Sequence, residues 1–307
     1  MLNIYKTINN KVVEIEAFEK NCWISLMKPT QEEIAKVQLL TNVEKDLLTA
    51  ALDDEETSRI DIDDQQTLLI IDVPYCEGEV GSIHYETIPL GIITSDSYVI
   101  SVCLKEIQIL DDFRSGNKKD VFINFKTRFI LQILYSIATR YLLFLRSIDR
   151  STRIVEKKLR ETMSNSELLQ LLDYQKSLVF LSTSLKGNEA TIARIQKGKV
   201  YQLYEEDLDL LDDVLIEFRQ AIEMSGVYSN ILTGEMNAFA SIISNNVSIV
   251  MKTLTIVTIL LAIPTMISGF YGMNVPNLPI PDFYFTILIS IALTAIIAFI
   301  LIKKKLF

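Results

Sequence analysis

"TLTIVTILLAIPTMISGFY" (253–271) and "FYFTILISIALTAIIAFILI" (283–302) hold nineteen and twenty residues without a charge, and reading them decides the fold. As a helix each is about 30 Å long, the thickness of a bilayer's hydrocarbon core. Two helices buried in a soluble core are the alternative, and both lengths weigh against it. We read two transmembrane helices, 253–271 and 283–302, joined by the short loop "GMNVPNLPIPD" (272–282).

The flanks orient the pair. Lys252 precedes the first span, Lys303, Lys304 and Lys305 follow the second, and the loop has no Lys or Arg. Positive flanks stay inside, so the N-terminal body and the basic tail, 303–307, are expected in the cytoplasm and the 272–282 loop outside. Phe270, Tyr271, Phe283, Tyr284 and Phe285 sit where an interfacial aromatic belt is expected. A multi-pass protein of the cell membrane follows.

Outward from the spans the composition changes. Beyond residue 236 the charged side chains are Lys252, Asp282 and the three terminal lysines, a surplus of +3. The whole chain carries −9, so the body is strongly acidic. Cys22, Cys76 and Cys103 show no CxxC spacing and read as reduced cytoplasmic thiols. The opening "MLNIYKTINNKVVEIEAFEK" has no apolar leader segment.

Residues 201–252 are expected to be a stalk. From Glu205 no proline interrupts the helical pattern before Pro264, and one helix over 205–270 would be about 100 Å long. Residues 119–200 read as a long helical pair, 121–163 and 164–198, packed antiparallel. Arg128 and Arg140 leave eleven uncharged residues between them, too few for a third span. Residues 1–118 form a mixed α/β domain. Its expected strands lie in "KVVEIEAF", "CWISLMK", "SRIDIDD", "TLLIIDVPY" and "SIHYETIPLGIITSDSYVISVC", and its expected helices at 31–52 and 104–113. The fold class is therefore an α+β cytoplasmic domain followed by long helices and two C-terminal transmembrane helices.

Enzymatic chemistry finds no support. His84 is the one histidine, and no GxxxxGK[ST] or GxGxxG pattern occurs. The acidic runs Asp53–Glu56 and Asp61, Asp63 and Asp64 lack the glycine and closing glutamate of a calcium loop and read as solvated faces. The first span says more. Met251, Leu254, Thr258, Leu261, Thr265 and Ser268 recur at steps of 3 or 4, one stripe of a helix. Its hydroxyls either bond back to their own helix or face something other than lipid. Pro264 removes the helix bond to Leu260 and implies a kink, the plain reading, or a hinge in a gate. Two helices cannot enclose a pore, so transport would require several chains in a ring.

Tyr271-Gly272-Met273-Asn274, at the outer end of the first of two C-terminal spans, resembles the signature of the CorA family of magnesium channels and transporters. The acidic α/β body, the long helix running into the span, the short loop and the Lys-rich end are similar too. The resemblance implies a funnel-shaped homopentamer in the lipid bilayer, neither an enzyme nor a nucleic-acid binder. The first spans would line its pore through Met251, Leu254, Thr258, Leu261, Thr265 and Ser268. Gly272, Met273 and Asn274 would form the selectivity filter, with Tyr271 bracing it from behind. Mg2+ would be both cargo and regulator, with Co2+ and Ni2+ as further cargo. The family also implies closure by cytoplasmic Mg2+ at acidic sites between subunits. Asp213, with Asp209 and Asp212 nearby, stands where one such acid is expected, and its partner is left open within Asp53–Asp64. Where many relatives carry a glutamate after the triplet, this loop offers only Asp282. Rival readings are a zinc transporter of the same superfamily, whose branch alters the triplet, and a membrane-anchored divalent-cation sensor without flux.

Overall fold

The computed structural model describes residues 1–63, 66–77, 84–116, 118, 120–162, 164–197, 200–274, 279–280 and 282–304. Asp64, Lys305 and parts of the 272–282 loop and the 303–307 tail, invoked above, lie outside them. The chain divides into two compact units, Met1–Gly234 and Glu235–Phe307.

The first unit is built on a seven-stranded sheet of β1 Leu2–Ile8, β2 Lys11–Ile15, β3 Cys22–Met27, β4 Arg59–Asp63, β5 Gln66–Glu77, β6 His84–Ser95 and β7 Tyr98–Cys103. The strand order is β2-β1-β3-β7-β6-β5-β4. β3 and β7 are parallel, and the other neighbours are antiparallel. "CWISLM" and "YVISVC" are buried at every residue because helices cover both faces of the sheet there. Ile24, Leu26, Ile100 and Val102 face Ile34, Val37 and Leu48 on one side. On the other side Trp23 bonds Ser101 at 2.9 Å and meets Phe129 edge-on at 5.2 Å.

Three elements depart from expectation. The span 31–52 is not one helix but α1 Gln31–Thr41, α2 Lys45–Thr49 and a 3-10 turn, Ala50–Leu52. Thr30 and Glu33 close a capping box at the start of α1, and Asn42, left-handed at φ 55°, ends it. Helix α3, Gln108–Arg114, begins four residues later than the 104–113 pattern suggested. β1 was not singled out as a strand, yet it sits between β2 and β3, with the Met1 amine 2.6 Å from the Met27 carbonyl.

Helices α4, Lys126–Thr162, and α5, Asn165–Lys197, lie antiparallel on the sheet. On α4, Tyr141 bonds the Asp72 carbonyl and Ser147 bonds Tyr85. Along α5 the direction reverses, Ser184 meeting Thr87 and Thr191 donating to the Ser58 carbonyl. α4 is long and apolar enough to cross a membrane, but 67% of its most apolar window is buried, against this core.

A fully buried asparagine ties α5 to the sheet. β4 pairs with β5 only as far as Ile70, leaving the backbone of Asp72 without a strand partner on that edge. Asn188 supplies one: its Oδ1 accepts from the Asp72 N–H at 2.9 Å and its Nδ2 donates to the Asp72 carbonyl at 2.8 Å. Ser58 donates to the same Oδ1 at 2.6 Å. Burial also raises the Asp72 carboxyl above its ordinary value. Asn188→Ala would strand the Asp72 N–H in a buried setting and is expected to cost about 2–3 kcal/mol, read as a lower thermal unfolding midpoint of the detergent-solubilised protein.

Helix α6 runs from Glu205 to Tyr271 and α7 from Phe283 to Lys303. The most apolar windows of α6 and α7 are 11% and 0% buried, the reverse of α4. Surfaces this apolar and this bare suit lipid or other copies of the chain.

Candidate functional site

In the second unit, α6 buries Ile256, Ile263 and Ile267 to 8% exposure or less. Met251, Leu254 and Leu261 stand 57%, 58% and 66% exposed, and Thr258, Thr265 and Ser268 are exposed as well. At about 100° per residue, the mean direction of this stripe is about 170° from that of the three isoleucines. The stripe anticipated from sequence lies within the broad surface that α6 leaves exposed, a surface that also includes Val257, Ile259, Met266 and Phe270.

Its hydroxyls are already half committed. Thr258 donates to the Leu254 carbonyl at 2.8 Å and Thr265 to the Leu261 carbonyl at 2.9 Å. This back-bonding is the bland alternative considered for them. It spends the hydroxyl proton inside the helix and leaves oxygen lone pairs outward, so these positions offer acceptors only.

At the end of α6 the Gly272 N–H bonds the Ser268 carbonyl at 2.9 Å and the Met273 N–H bonds the Phe270 carbonyl at 3.3 Å. A Cβ on Gly272 would lie 3.1 Å from the Ser268 oxygen, so glycine permits the close turn that presents Met273 and Asn274. Both are exposed, and the Asn274 amide has no hydrogen bond among the described residues. The loop is held from its flanks instead. Tyr271 donates its hydroxyl to the Pro279 carbonyl at 3.1 Å. Asp282 caps α7, accepting the Phe285 N–H at 3.2 Å, while Thr286 bonds the Asp282 carbonyl.

One feature was missed from sequence. Pro264 and Ser268 of α6, with Thr286, Ser290 and Thr294 of α7, line a cavity of about 540 Å³ beside the proline. The i, i+4 spacing of Thr286, Ser290, Thr294 and Ala298 was its signal.

With this geometry in view, comparison with known proteins is informative. The family described as CorA-like Mg2+ transporter protein matches residues 18–304. The chain belongs to the CorA family. A cobalt/magnesium transport protein CorA from Methanocaldococcus jannaschii is 26% identical over 264 residues, 85% of this chain and 82% of that protein. The complete structure of the CorA magnesium transporter from the same organism aligns with a TM-score of 0.82 at 23% identity, covering 99% of this chain and 96% of that one. The cytoplasmic domain of ZntB from Vibrio parahaemolyticus shares the fold more distantly, at a TM-score of 0.59 and 13% identity, over 80% of this chain and 97% of that domain. The matching family is described as one of transporters.

The acids singled out for regulation lie on α6 of this CorA chain. Asp209, Asp212 and Asp213 are all exposed, and Asp212 accepts from Gln196 at 2.8 Å. Among the described residues no group of three or more His, Cys, Asp or Glu side chains could hold a metal ion. The candidate partner acids are partly engaged: Glu56 and Asp61 both pair with Arg59, and Asp53 accepts the Glu55 N–H.

Proposed function

We propose that this CorA chain is a homopentameric magnesium channel of the cell membrane, with its N-terminal body and C-terminus in the cytoplasm. Helix α6 from residue 253 and helix α7 cross the bilayer. The 253–271 segments line the pore through Met251, Leu254, Thr258, Leu261, Thr265 and Ser268, and the 272–282 loops ring the outer mouth. The observation that carries this reading is an α6 that buries only a ridge of isoleucines and leaves the stripe within its broad exposed apolar surface. Magnesium releases its water reluctantly. A ring of Asn274 amides, with Gly272 and Met273 beside them and Tyr271 behind, holds the hydrated ion through its water shell. The membrane potential drives influx, since a divalent ion crossing 100 mV gains about 5 kcal/mol. The names of the relatives support Co2+ as a second cargo, and Ni2+ belongs with it by charge and size.

Closure comes from cytoplasmic Mg2+ bound between neighbouring subunits at Asp213, with Asp209 and Asp212, and an acid from the 53–64 stretch of the next chain. Asp213→Ala is expected to raise, by about tenfold, the Mg2+ concentration that protects the cytoplasmic body from protease. Unchanged protection would leave Asp213 a solvated charge.

The function is tested in proteoliposomes with an inside-negative potential, supplying Mg2+, Co2+, Ni2+ and Zn2+ in separate runs. Mg2+ entry is expected, with Co2+ and Ni2+ passing too. Flux of Zn2+ alone would make the chain a zinc transporter, and no flux of any ion would make it an anchored sensor.

A further inference from the structure

Arg146, Arg150, Arg153, Lys157 and Arg160 recur at steps of 3 or 4 along the distal half of α4, and all five are exposed. At about 100° per residue they share a sector about 80° wide and about 21 Å long. Ile148, Val155 and Leu159, which α4 buries, lie on the opposite side. Arg153 pairs with Asp149 at 3.1 Å and Arg160 pairs with Glu156, both on the same helix. Arg146, Arg150 and Lys157 have no carboxylate partner among the described residues. Beside the stripe stand two bare apolar side chains, Leu143 at 48% and Ile154 at 62% exposure. A five-cation face is conspicuous in a chain whose net charge is −9.

We infer that this face of α4 docks on anionic phospholipid headgroups at the bilayer surface. Clusters of four to eight Lys and Arg on an amphipathic helix have the charge that an anionic leaflet attracts. Leu143 and Ile154 fit the boundary between headgroups and acyl chains, where an apolar side chain beside a basic stripe is buried rather than left in water. A nucleic-acid backbone would use the cations and leave those two side chains without a role. The inference rests on the chain being held in a membrane, which keeps the lipid surface at high effective concentration, and not on ion flux.

The test uses the full chain in nanodiscs, with Cys76, the exposed cysteine, changed to Ser and a nitroxide placed at Ile154→Cys. Discs of phosphatidylcholine are compared with discs that also contain phosphatidylglycerol. With phosphatidylglycerol, collisions of the label with oxygen are expected to rise and those with a water-soluble nickel chelate to fall. The triple variant Arg146→Gln, Arg150→Gln, Lys157→Gln, confined to an exposed face, is expected to lose that shift while keeping its thermal unfolding midpoint. High salt is expected to erase the shift in the parent protein. Identical accessibilities in the two lipids would overturn the inference. So would a label shielded from both reagents already in phosphatidylcholine, which would make the stripe a contact between copies of the chain.

Discussion

Replacing Asn274 by alanine is expected to abolish Mg2+ uptake in a transport-deficient cell while the assembled protein reaches the membrane in normal amount. The two halves of this result have separate causes. Assembly survives because the Asn274 side chain is exposed and carries no hydrogen bond among the described residues, so the fold loses nothing when it is removed. The turn that presents it is set by the Gly272 N–H on the Ser268 carbonyl, by Tyr271 on Pro279, and by the Asp282 cap. Uptake is expected to fail because, on the proposed reading, each subunit loses an amide offered to a hydrated ion. A hydrogen bond contributes about 1 kcal/mol net, so a ring of lost amides multiplies to well over a hundredfold in occupancy of the mouth. Uptake measured with a magnesium-sensitive dye, beside surface cross-linking to follow assembly, decides the matter. Undiminished uptake would remove the filter from this loop. Asp282 has a clearer part than the sequence allowed: its carboxylate is engaged in capping α7, which favours a structural role over concentrating the ion.

How much of this was legible in the sequence depended on whether a residue's role is set by its own helix or by a distant partner. Charge-free runs of span length are a property of the segment alone, and so is the 3-and-4 stripe from Met251 to Ser268. The opposite face was not legible: 253–271 has apolar residues in every direction around the helix, so Ile256, Ile263 and Ile267 stand out only once the helix is packed. The break in 31–52 turned on Asn42, one left-handed residue inside a continuous amphipathic pattern. Asn188 reads as an ordinary polar residue in a helix, and only the end of β4 gives its amide a task. Asp209, Asp212 and Asp213 read as acids on a helix, and on α6 they stand exposed.

Leu254→Asn is expected to raise Mg2+ flux by an order of magnitude under the high cytoplasmic Mg2+ that closes the parent protein. Apolar constrictions gate by shedding water, and an amide placed at such a ring keeps it wet. Leu254 is 58% exposed on the bare face of α6, so the polar side chain meets no packed neighbour in the helix pair. Ile256 is the control, two residues away and 4% exposed on the packed face. Ile256→Asn would bury an amide without partners, at a cost of about 1–3 kcal/mol, and is expected to lower the thermal midpoint and the yield of assembled protein without opening a leak. Flux assays and size-exclusion profiles on the two variants therefore separate pore face from packing face. If both variants leaked, or both merely fell apart, Leu254 would not face a pore. A leak from Leu254→Asn alone would place the gate at the start of the first span, on the side of α6 that faces away from its buried isoleucines.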